Sequence, residues 1–133
     1  TIDTTSPTVT VNQSSSQPDP ANVDSASFDI VFSEDVSTLA VADVTLAGTS
    51  GTITTLTKVD NKTYTAIVTG MTDGDTATMT LAAAKVTDAA GNGNVASTST
   101  DNQVKYDTTK PTVTINQAAG QADPTNVDSV AFS

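Results

Sequence analysis

The sequence has 133 residues, of which 36% are hydrophobic and 4% aromatic, and 15 acidic residues against five lysines give a net charge of −10. A surface this negative repels nucleic acid and anionic lipid, so we expect neither nucleic-acid binding nor direct membrane contact. Because histidine, cysteine and arginine are absent, the usual groups for catalysis and for transition-metal binding are missing, and we expect no enzyme activity.

The first part of the chain predicts strands separated by polar turns. Residues 8–12 and 27–32 alternate between polar and apolar side chains, which is the period of a strand with one buried face. The side chains that this alternation directs inward are Val9, Val11, Phe28, Ile30 and Phe32. After an acidic loop, residues 39–46 predict a short, irregular strand that is broken near Asp43.

The middle of the chain predicts a hairpin. Residues 52–59 and 63–69 flank a three-residue turn at residues 60–62. The apolar residues of the first arm do not all fall on alternate positions, so they cannot all face one side of a regular strand. We therefore expect a bulge there or a strand shared between two faces. On the second arm the side chains predicted to face inward are Tyr64, Ala66 and Val68.

Two more strands complete the predicted fold. Residues 76–81 alternate, residues 88–94 form a tight loop, and residues 98–106 predict the last strand. The inward side chains of these strands are Ala77, Met79, Leu81, Val104 and Tyr106. About seven short strands with a turn signal roughly every 8–12 residues are typical of an all-β fold, an immunoglobulin-like antiparallel β-sandwich.

The end of the sequence repeats its beginning. Residues 107–133 match residues 3–29 at 17 of 27 positions, with a constant offset of 104 residues and no gap. A period of this length is a whole domain, so we expect the chain to be a segment of a longer tandem protein. The expected organisation is a complete repeat at 1–106 with a linker at 1–6, an inter-repeat linker at 107–110, and the truncated start of the next repeat at 111–133.

Four segments carry a resemblance to a known family. They are Phe32-Ser-Glu-Asp-Val36, Gly70-Met71-Thr72, Val86-Thr-Asp88-Ala-Ala-Gly91-Asn92 and Asp107-Thr-Thr-Lys-Pro111-Thr-Val. The sequence resembles the bacterial immunoglobulin-like repeats of very long cell-surface adhesins, including the extender regions of repeats-in-toxin type adhesins, among them an ice-binding one from a marine bacterium. The resemblance implies export from a Gram-negative cell, many tandem copies, and Ca²⁺ that folds each domain and stiffens the joints.

Acidic residues are expected to meet at the N-terminal pole of the sandwich, the end at which the chain enters. In an immunoglobulin-like sandwich the loops after the second strand and before the last strand lie at this pole. Four carboxylates there would repel one another, and a hard cation that takes about six to eight oxygen ligands would relieve the repulsion. We therefore predict bound Ca²⁺; the alternative is a solvated acidic loop with Asp88 in an Asx turn. The candidate ligands at this pole are Asp3, Glu34, Asp35, Asp88, Asn92 and Asn94.

The joint between the repeats offers further candidate ligands. Asp107 lies in this joint, so a metal shared with the next repeat would fix the angle between the two repeats. Asp73 and Asp75 lie in a turn at the opposite, C-terminal pole, where they could face Asp107 as ligands or form an ordinary turn. Asp19 and Asp24 are interpreted as loop caps rather than ligands.

The expected function is mechanical. Repeats filled with Ca²⁺ would form a structural extender module that holds a distal adhesive tip away from the cell, in the extracellular space at the cell surface. Neighbouring repeats of the same chain are the expected partners, and the isolated segment is expected to be a monomer. Two alternatives stay open: a module that binds a glycan or a protein, and a filament subunit in which residues 107–133 complete a neighbouring sandwich by strand addition.

Overall fold

Seven short strands form two antiparallel sheets in the computed structural model, which describes residues 1–133. The strands are β1 (Val9–Gln13), β2 (Ser25–Phe32), β3 (Val44–Ala47), β4 (Thr52–Lys58), β5 (Thr63–Thr69), β6 (Thr76–Leu81) and β7 (Gln103–Lys105). One sheet has the order β1-β2-β5-β4 and the other has the order β3-β6-β7. The prediction of an all-β, immunoglobulin-like sandwich of about seven strands is confirmed.

Alternation along the strands fills the space between the sheets with apolar side chains. Val11 pairs with Ile30 across β1 and β2, and Phe28 pairs with Ala66 across β2 and β5, which fixes one face of this sheet inward. The core contains 19 buried apolar residues. Every side chain predicted to face inward is buried except Tyr106, which is partly buried and packs against the core.

An aromatic pair stabilises the loop that follows β2. The rings of Phe32 and Tyr64 meet edge to face, with centroids 6.3 Å apart and planes at 82°. Such a pair contributes about 0.5–1.5 kcal/mol beyond the burial of its surface. The buried Tyr64 hydroxyl accepts a hydrogen bond of 3.2 Å from the backbone N–H of Leu39, so the far end of the loop is attached to the same ring. This loop carries Glu34 and Asp35 at the N-terminal pole.

The last strand is shorter than the sequence predicts. β7 spans Gln103–Lys105, whereas the alternation predicted a strand at 98–106. Thr98 bonds instead to β1, since its carbonyl accepts from the N–H of Val11 and its own N–H donates to the carbonyl of Val9, each at 3.0 Å. The predicted extent was wrong because alternation indicates extended backbone but does not distinguish pairing with β6 from pairing with the free edge of β1. The two sheets are therefore joined along this side of the sandwich.

The strand predicted at residues 39–46 begins only at Val44, because a 3₁₀ turn takes up the residues before it, whereas the bulge predicted in the first hairpin arm is present. A 3₁₀ turn at Val41–Asp43 precedes β3, where the Asp43 carboxylate accepts a hydrogen bond of 2.9 Å from the N–H of Ala40. β4 changes register between Ile53 and Thr55, so the predicted bulge is confirmed. The structure contains no helix that is long and apolar enough to cross a membrane.

Residues 107–133 lie beyond β7 and pair with themselves. Gln117 pairs with Phe132, which is the same register, 104 residues on, as the pairing of Gln13 with Phe28 in the sandwich. The apolar side chains that stay exposed, by 54% to 83%, are Val113, Ile115, Val127, Val130 and Phe132. This segment thus has the local pairing of β1 and β2 without an opposing sheet to cover its apolar side chains.

Candidate metal centre

Three carboxylates from separate segments meet at the N-terminal pole. Asp3 precedes β1, Glu34 follows β2 and Asp88 follows β6, and one carboxylate oxygen of each lies within 4.8 Å of the others. Asp3 is exposed, Glu34 is half-buried and Asp88 is buried. We call these three residues the N-terminal carboxylate group. The group is open to solvent on the side of Asp3 and rests on the sandwich through Asp88.

Asp88 is held by hydrogen bonds from its own loop. Its Oδ1 accepts from the N–H groups of Ala90 and Asn92, each at 2.9 Å, and its Oδ2 accepts from the Asn92 side-chain amide at 2.9 Å. The Asn92 amide is the largest of the influences that lower the pKa of the Asp88 carboxyl below its ordinary value, and the backbone donors lower it further. Asp88 is therefore a fixed, negatively charged oxygen donor at neutral pH.

The buried side chain of Asn94 holds the same loop through hydrogen bonds to its backbone. It is 2% exposed, and its Oδ1 accepts from the N–H groups of Lys85 at 2.8 Å and Val86 at 3.0 Å. Its Nδ2 donates to the carbonyls of Ala82 at 3.0 Å and Val95 at 2.8 Å. Because both side-chain atoms have backbone partners, the structure assigns Asn94 to holding the loop and leaves it outside the carboxylate group.

Asn92 connects the loop to the start of the chain. Its Nδ2 donates to the backbone carbonyl of Asp3 at 3.1 Å as well as to Asp88. The Asp3 side chain accepts from the N–H of Thr5 at 2.9 Å, so the first residues of the chain turn toward the group. Asn92 thereby holds Asp3 and Asp88 together through neutral donors, while its Oδ1 accepts no hydrogen bond.

Glu34 experiences the repulsion of the group. Partial burial, the charge of Asp88 and the charge of Asp3, in that order, raise the pKa of the Glu34 carboxyl above its ordinary value. The ion pair of the structure lies elsewhere, between Lys105 and Asp107 at 3.7 Å, so no lysine neutralises the group. A positive ion at this position would oppose the effect of the two neighbouring charges, Asp88 and Asp3, on Glu34.

Asp35 lies beside the group and outside it. The side chain is exposed, and its Oδ2 is 3.5 Å from the amide nitrogen of Asn61. A cavity next to the group is lined by Asp35, Val36, Ser37, Asn61, Thr87, Asp88 and Ala89. Asp35 therefore faces the rim of this cavity, where it could bind a cation through water but does not meet the other three carboxylates.

At the C-terminal pole, Asp75 is engaged by the protein itself. Its Oδ2 accepts four hydrogen bonds of 2.9–3.0 Å: from the Thr49 hydroxyl, from the N–H and the hydroxyl of Ser50, and from the N–H of Thr72. These donors, led by the N–H groups of Thr72 and Ser50, lower the pKa of Asp75 from 3.8 to about 2. The turn after β5 is thus attached to the loop before β4.

Asp73 and Asp107 are each bonded to residues of the joint. Asp73 Oδ1 accepts from the N–H of Thr108 at 2.6 Å, and Asp107 Oδ1 accepts from the N–H of Thr109 at 2.9 Å. Asp73, Asp75 and Asp107 are not brought together as a group of carboxylates. In this structure the C-terminal pole therefore has caps and one ion pair, and the N-terminal pole has the convergent acidic group.

The donor set of the N-terminal pole suits a hard divalent cation. It offers three carboxylates, from Asp3, Glu34 and Asp88, so all of its candidate ligand atoms are oxygen atoms. Ca²⁺ takes about six to eight oxygen ligands with flexible geometry, and water can supply those that the protein does not. A transition metal would prefer the nitrogen and sulfur donors that histidine and cysteine provide, and the sequence has neither.

The sequence does not distinguish metal ligands from residues that cap backbone N–H groups. A run of Gly91-Asn92-Gly93-Asn94 indicates a tight loop, but nothing in it shows that Asn94 turns inward while Asn92 faces the carboxylates. Asp24 accepts from the N–H groups of Gly70 and Met71, in agreement with the interpretation of this residue as a cap. Asp75 also caps backbone N–H groups, whereas its position in a turn was compatible with either a cap or a metal ligand.

Comparison with known proteins gives one match. The family described as bacterial Ig-like domain matches residues 3–106. No curated protein and no solved structure gives a significant match to the chain. The matched segment begins at Asp3 of the carboxylate group and ends directly after β7.

Proposed function

This chain belongs to the family of bacterial Ig-like domains, and from that premise we propose that it is a structural extender module of a bacterial surface adhesin, folded and stiffened by Ca²⁺. Domains of this family are typically extracellular or surface-exposed modules. The role is mechanical rather than catalytic: each module adds length between the cell and a distal adhesive tip. A sandwich whose longest strand has eight residues, at about 3.3 Å each, adds on the order of 30–40 Å once its loops are included.

The observation that carries the proposal is the convergence of Asp3, Glu34 and Asp88 within 4.8 Å. The three residues come from three segments that are far apart in sequence, so a cation bound by all of them joins the start of the chain to both sheets. Without a cation, partial burial and then the charges of Asp88 and Asp3 raise the pKa of Glu34, so its ionised form is disfavoured in this group. Calcium would therefore both remove an unfavourable interaction and fix the direction in which the chain enters the sandwich.

Calcium also fits the proposed location. Extracellular modules bind Ca²⁺ with dissociation constants of about 10⁻⁴–10⁻³ M, so millimolar external Ca²⁺ fills such sites and cytosolic Ca²⁺ leaves them empty. A ligand that binds only the folded state stabilises it by RT ln(1 + [L]/Kd), so filling the sites raises the free energy of unfolding. The chain would then be less stable before export and more stable after it.

We further propose that the following repeat begins in residues 107–133. The apolar residues Val113, Ile115 and Phe132 correspond to Val9, Val11 and Phe28 of the sandwich core. A neighbouring repeat of the same chain is then the natural partner. Asp107, the counterpart of Asp3, would contribute to the carboxylate group of that repeat, so one group would be formed at every joint.

A thermal melt with Ca²⁺ and with chelator tests the proposal. At a Ca²⁺ concentration a hundred times the dissociation constant, binding adds about 2.7 kcal/mol, which corresponds to roughly 10–20 °C in Tm for a domain of this size. Glu34→Gln should lose most of this gain, and Asp35→Asn, a neighbouring acid outside the group, should keep it. A wild-type Tm that is the same in Ca²⁺ and in chelator would refute the calcium site.

A further inference from the structure

The loop that carries Asp88 contains the one Asn-Gly pair of the sequence, Asn92-Gly93. An asparagine side-chain amide can be lost when the backbone nitrogen of the next residue attacks it, and asparagine is among the residues that are chemically labile in this way. Glycine as the next residue has no side chain to obstruct that attack. Both residues are half-buried, so water reaches them. The Gly93 nitrogen can attack only if its N–H is not held by a hydrogen bond within the fold.

The Gly93 N–H donates no hydrogen bond. Gly93 forms an isolated antiparallel bridge with Thr87, and the hydrogen bonds of that bridge fall on the neighbouring residues. The N–H of Asp88 donates to the carbonyl of Asn92 at 3.1 Å, and the N–H of Asn94 donates to the carbonyl of Val86 at 3.0 Å. The Gly93 nitrogen therefore points away from the ladder.

The nitrogen after an asparagine is also unbonded at Val23 and Gln117, but those residues carry side chains that obstruct its approach, and three other comparable positions are occupied. Asn94 is followed by Val95, whose N–H donates to the carbonyl of Pro7 at 2.9 Å. Asn102 is followed by Gln103, whose N–H donates to Asp101 Oδ1 at 3.2 Å. The one Asp-Gly pair, at residues 73–74, has its glycine N–H bonded to the carbonyl of Tyr106 at 2.9 Å. The fold thus holds these reacting nitrogens and leaves that of Gly93 free.

We propose that Asn92 is a site of spontaneous deamidation in the folded protein, and that the product adds a fourth carboxylate to the N-terminal carboxylate group. The Gly93 nitrogen gives its proton to solvent and attacks Cγ of Asn92, and the bond from Cγ to Nδ2 breaks. Nδ2 leaves as ammonia after taking a proton from water. One water molecule then adds to one of the two ring carbonyls and the bond from that carbon to the Gly93 nitrogen breaks, which gives aspartate when Cγ is attacked and isoaspartate when the backbone carbonyl carbon is attacked. In both products amide plus water has become carboxylic acid plus ammonia, with no oxidation or reduction.

The modification changes the charge at the centre of the group. Asn92 Nδ2 donates to Asp88 Oδ2 and to the carbonyl of Asp3, and a carboxylate in its place loses both hydrogen bonds and repels Asp88. The metal-free protein becomes less stable, while a divalent cation gains a charged ligand. This second half of the inference rests on the proposed calcium site, and the deamidation itself does not.

Mass spectrometry of the full chain tests the deamidation. The folded protein is incubated at neutral pH in chelator and, separately, in Ca²⁺, and a denatured sample supplies the reference rate. Trypsin releases residues 86–105, a peptide that contains Asn92 and, as internal controls, Asn94 and Asn102. We expect Asn92 of the folded chain in chelator to show the mass increase of an amide-to-acid change, at a rate of the same order of magnitude as in the denatured chain. Asn94 and Asn102 of the folded chain should show no such increase. Retention of the Asn92 amide in the folded chain, while the denatured chain loses it, would overturn the proposal.

A product variant tests the consequence. Asn92→Asp should bind Ca²⁺ with a dissociation constant about tenfold lower than the wild type, because a charge roughly 4 Å from a divalent ion is added, and should have a lower Tm in chelator. Asn92→Gln, which keeps a neutral amide, is the control and should not bind Ca²⁺ more tightly. Calorimetric affinity that is unchanged in Asn92→Asp would overturn the charge argument. If the wild type itself binds no Ca²⁺, the proposed function fails and the mass measurement still decides the deamidation.

Discussion

Asp73 and Thr108 join the sandwich to the segment that follows it. The Thr108 N–H donates to Asp73 Oδ1 at 2.6 Å, and this hydrogen bond is the largest influence that lowers the pKa of Asp73. The lowered pKa means that the contact persists as the pH falls below the ordinary value for aspartate and is lost once Asp73 is protonated. We expect Asp73→Asn to weaken the contact and to accelerate hydrogen exchange of the Thr108 amide. Exchange of the Thr109 amide, which donates to Asp107, should change less and serves as the control.

The effect of Glu34→Gln should depend in sign on the metal. The pKa of Glu34 is raised in the metal-free protein, so its stability contribution is present below the unfolded value and is lost as the pH rises through the folded pKa. At neutral pH, removal of this charge should therefore raise the Tm in chelator. In Ca²⁺ the same variant should have a lower Tm than the wild type. Calorimetry under both conditions measures the crossover, and a change of the same sign in both would contradict the metal site.

Asp75 should make the fold sensitive to acid. Its folded pKa is about 2, below the ordinary value of 3.8, so it stabilises the folded state above about pH 3.8 and this contribution is lost as the pH falls toward 2. In Asp75→Asn the Tm should be lower at neutral pH, and it should fall less than that of the wild type over this acidic interval. A pH profile of Asp75→Asn parallel to that of the wild type would disprove the assignment.

Phe28 and Phe132 provide a matched pair for the core. They occupy equivalent positions of the repeated sequence, yet Phe28 is fully buried and Phe132 is 68% exposed. Phe28→Ala should lower the free energy of unfolding of the sandwich by about 3–5 kcal/mol. Phe132→Ala should change it by less than about 0.5 kcal/mol. Denaturant unfolding measures both, and a similar loss in the two variants would mean that residues 107–133 pack on the sandwich.

Replacement of Asn94 should lower the free energy of unfolding. Asn94→Ala would remove the acceptor for two backbone N–H groups, at Lys85 and Val86, and the donor for two carbonyls. Groups left unsatisfied in a buried position cost about 1–3 kcal/mol each, so we expect a loss of at least about 2 kcal/mol in chelator. The loss should appear without metal because Asn94 acts on the loop and not on the ion. Denaturant unfolding in chelator measures it, and equal stability of the variant would contradict this role.

Alternation of polar and apolar residues along the chain already specifies most of the strands and their inward side chains. A strand with one buried face must alternate, so the pattern of β1, β2, β5 and β6 was readable locally, and the repeat at an offset of 104 residues was readable by comparison of the chain with itself. The loss of parity in the first hairpin arm likewise indicated the bulge near Ile53. These features depend on neighbours in the chain.

The tertiary structure decided which partners distant residues take. Thr98 bonds to β1 rather than continuing β7, and among the acidic candidates Asp3, Glu34 and Asp88 converge while Asp75 is enclosed by donors from another loop. A carboxylate in a turn can cap an N–H or bind a cation, and its own sequence does not distinguish the two. The choice depends on donors and charges brought within a few ångströms by the packing of two sheets, and spacing along the chain does not encode those distances.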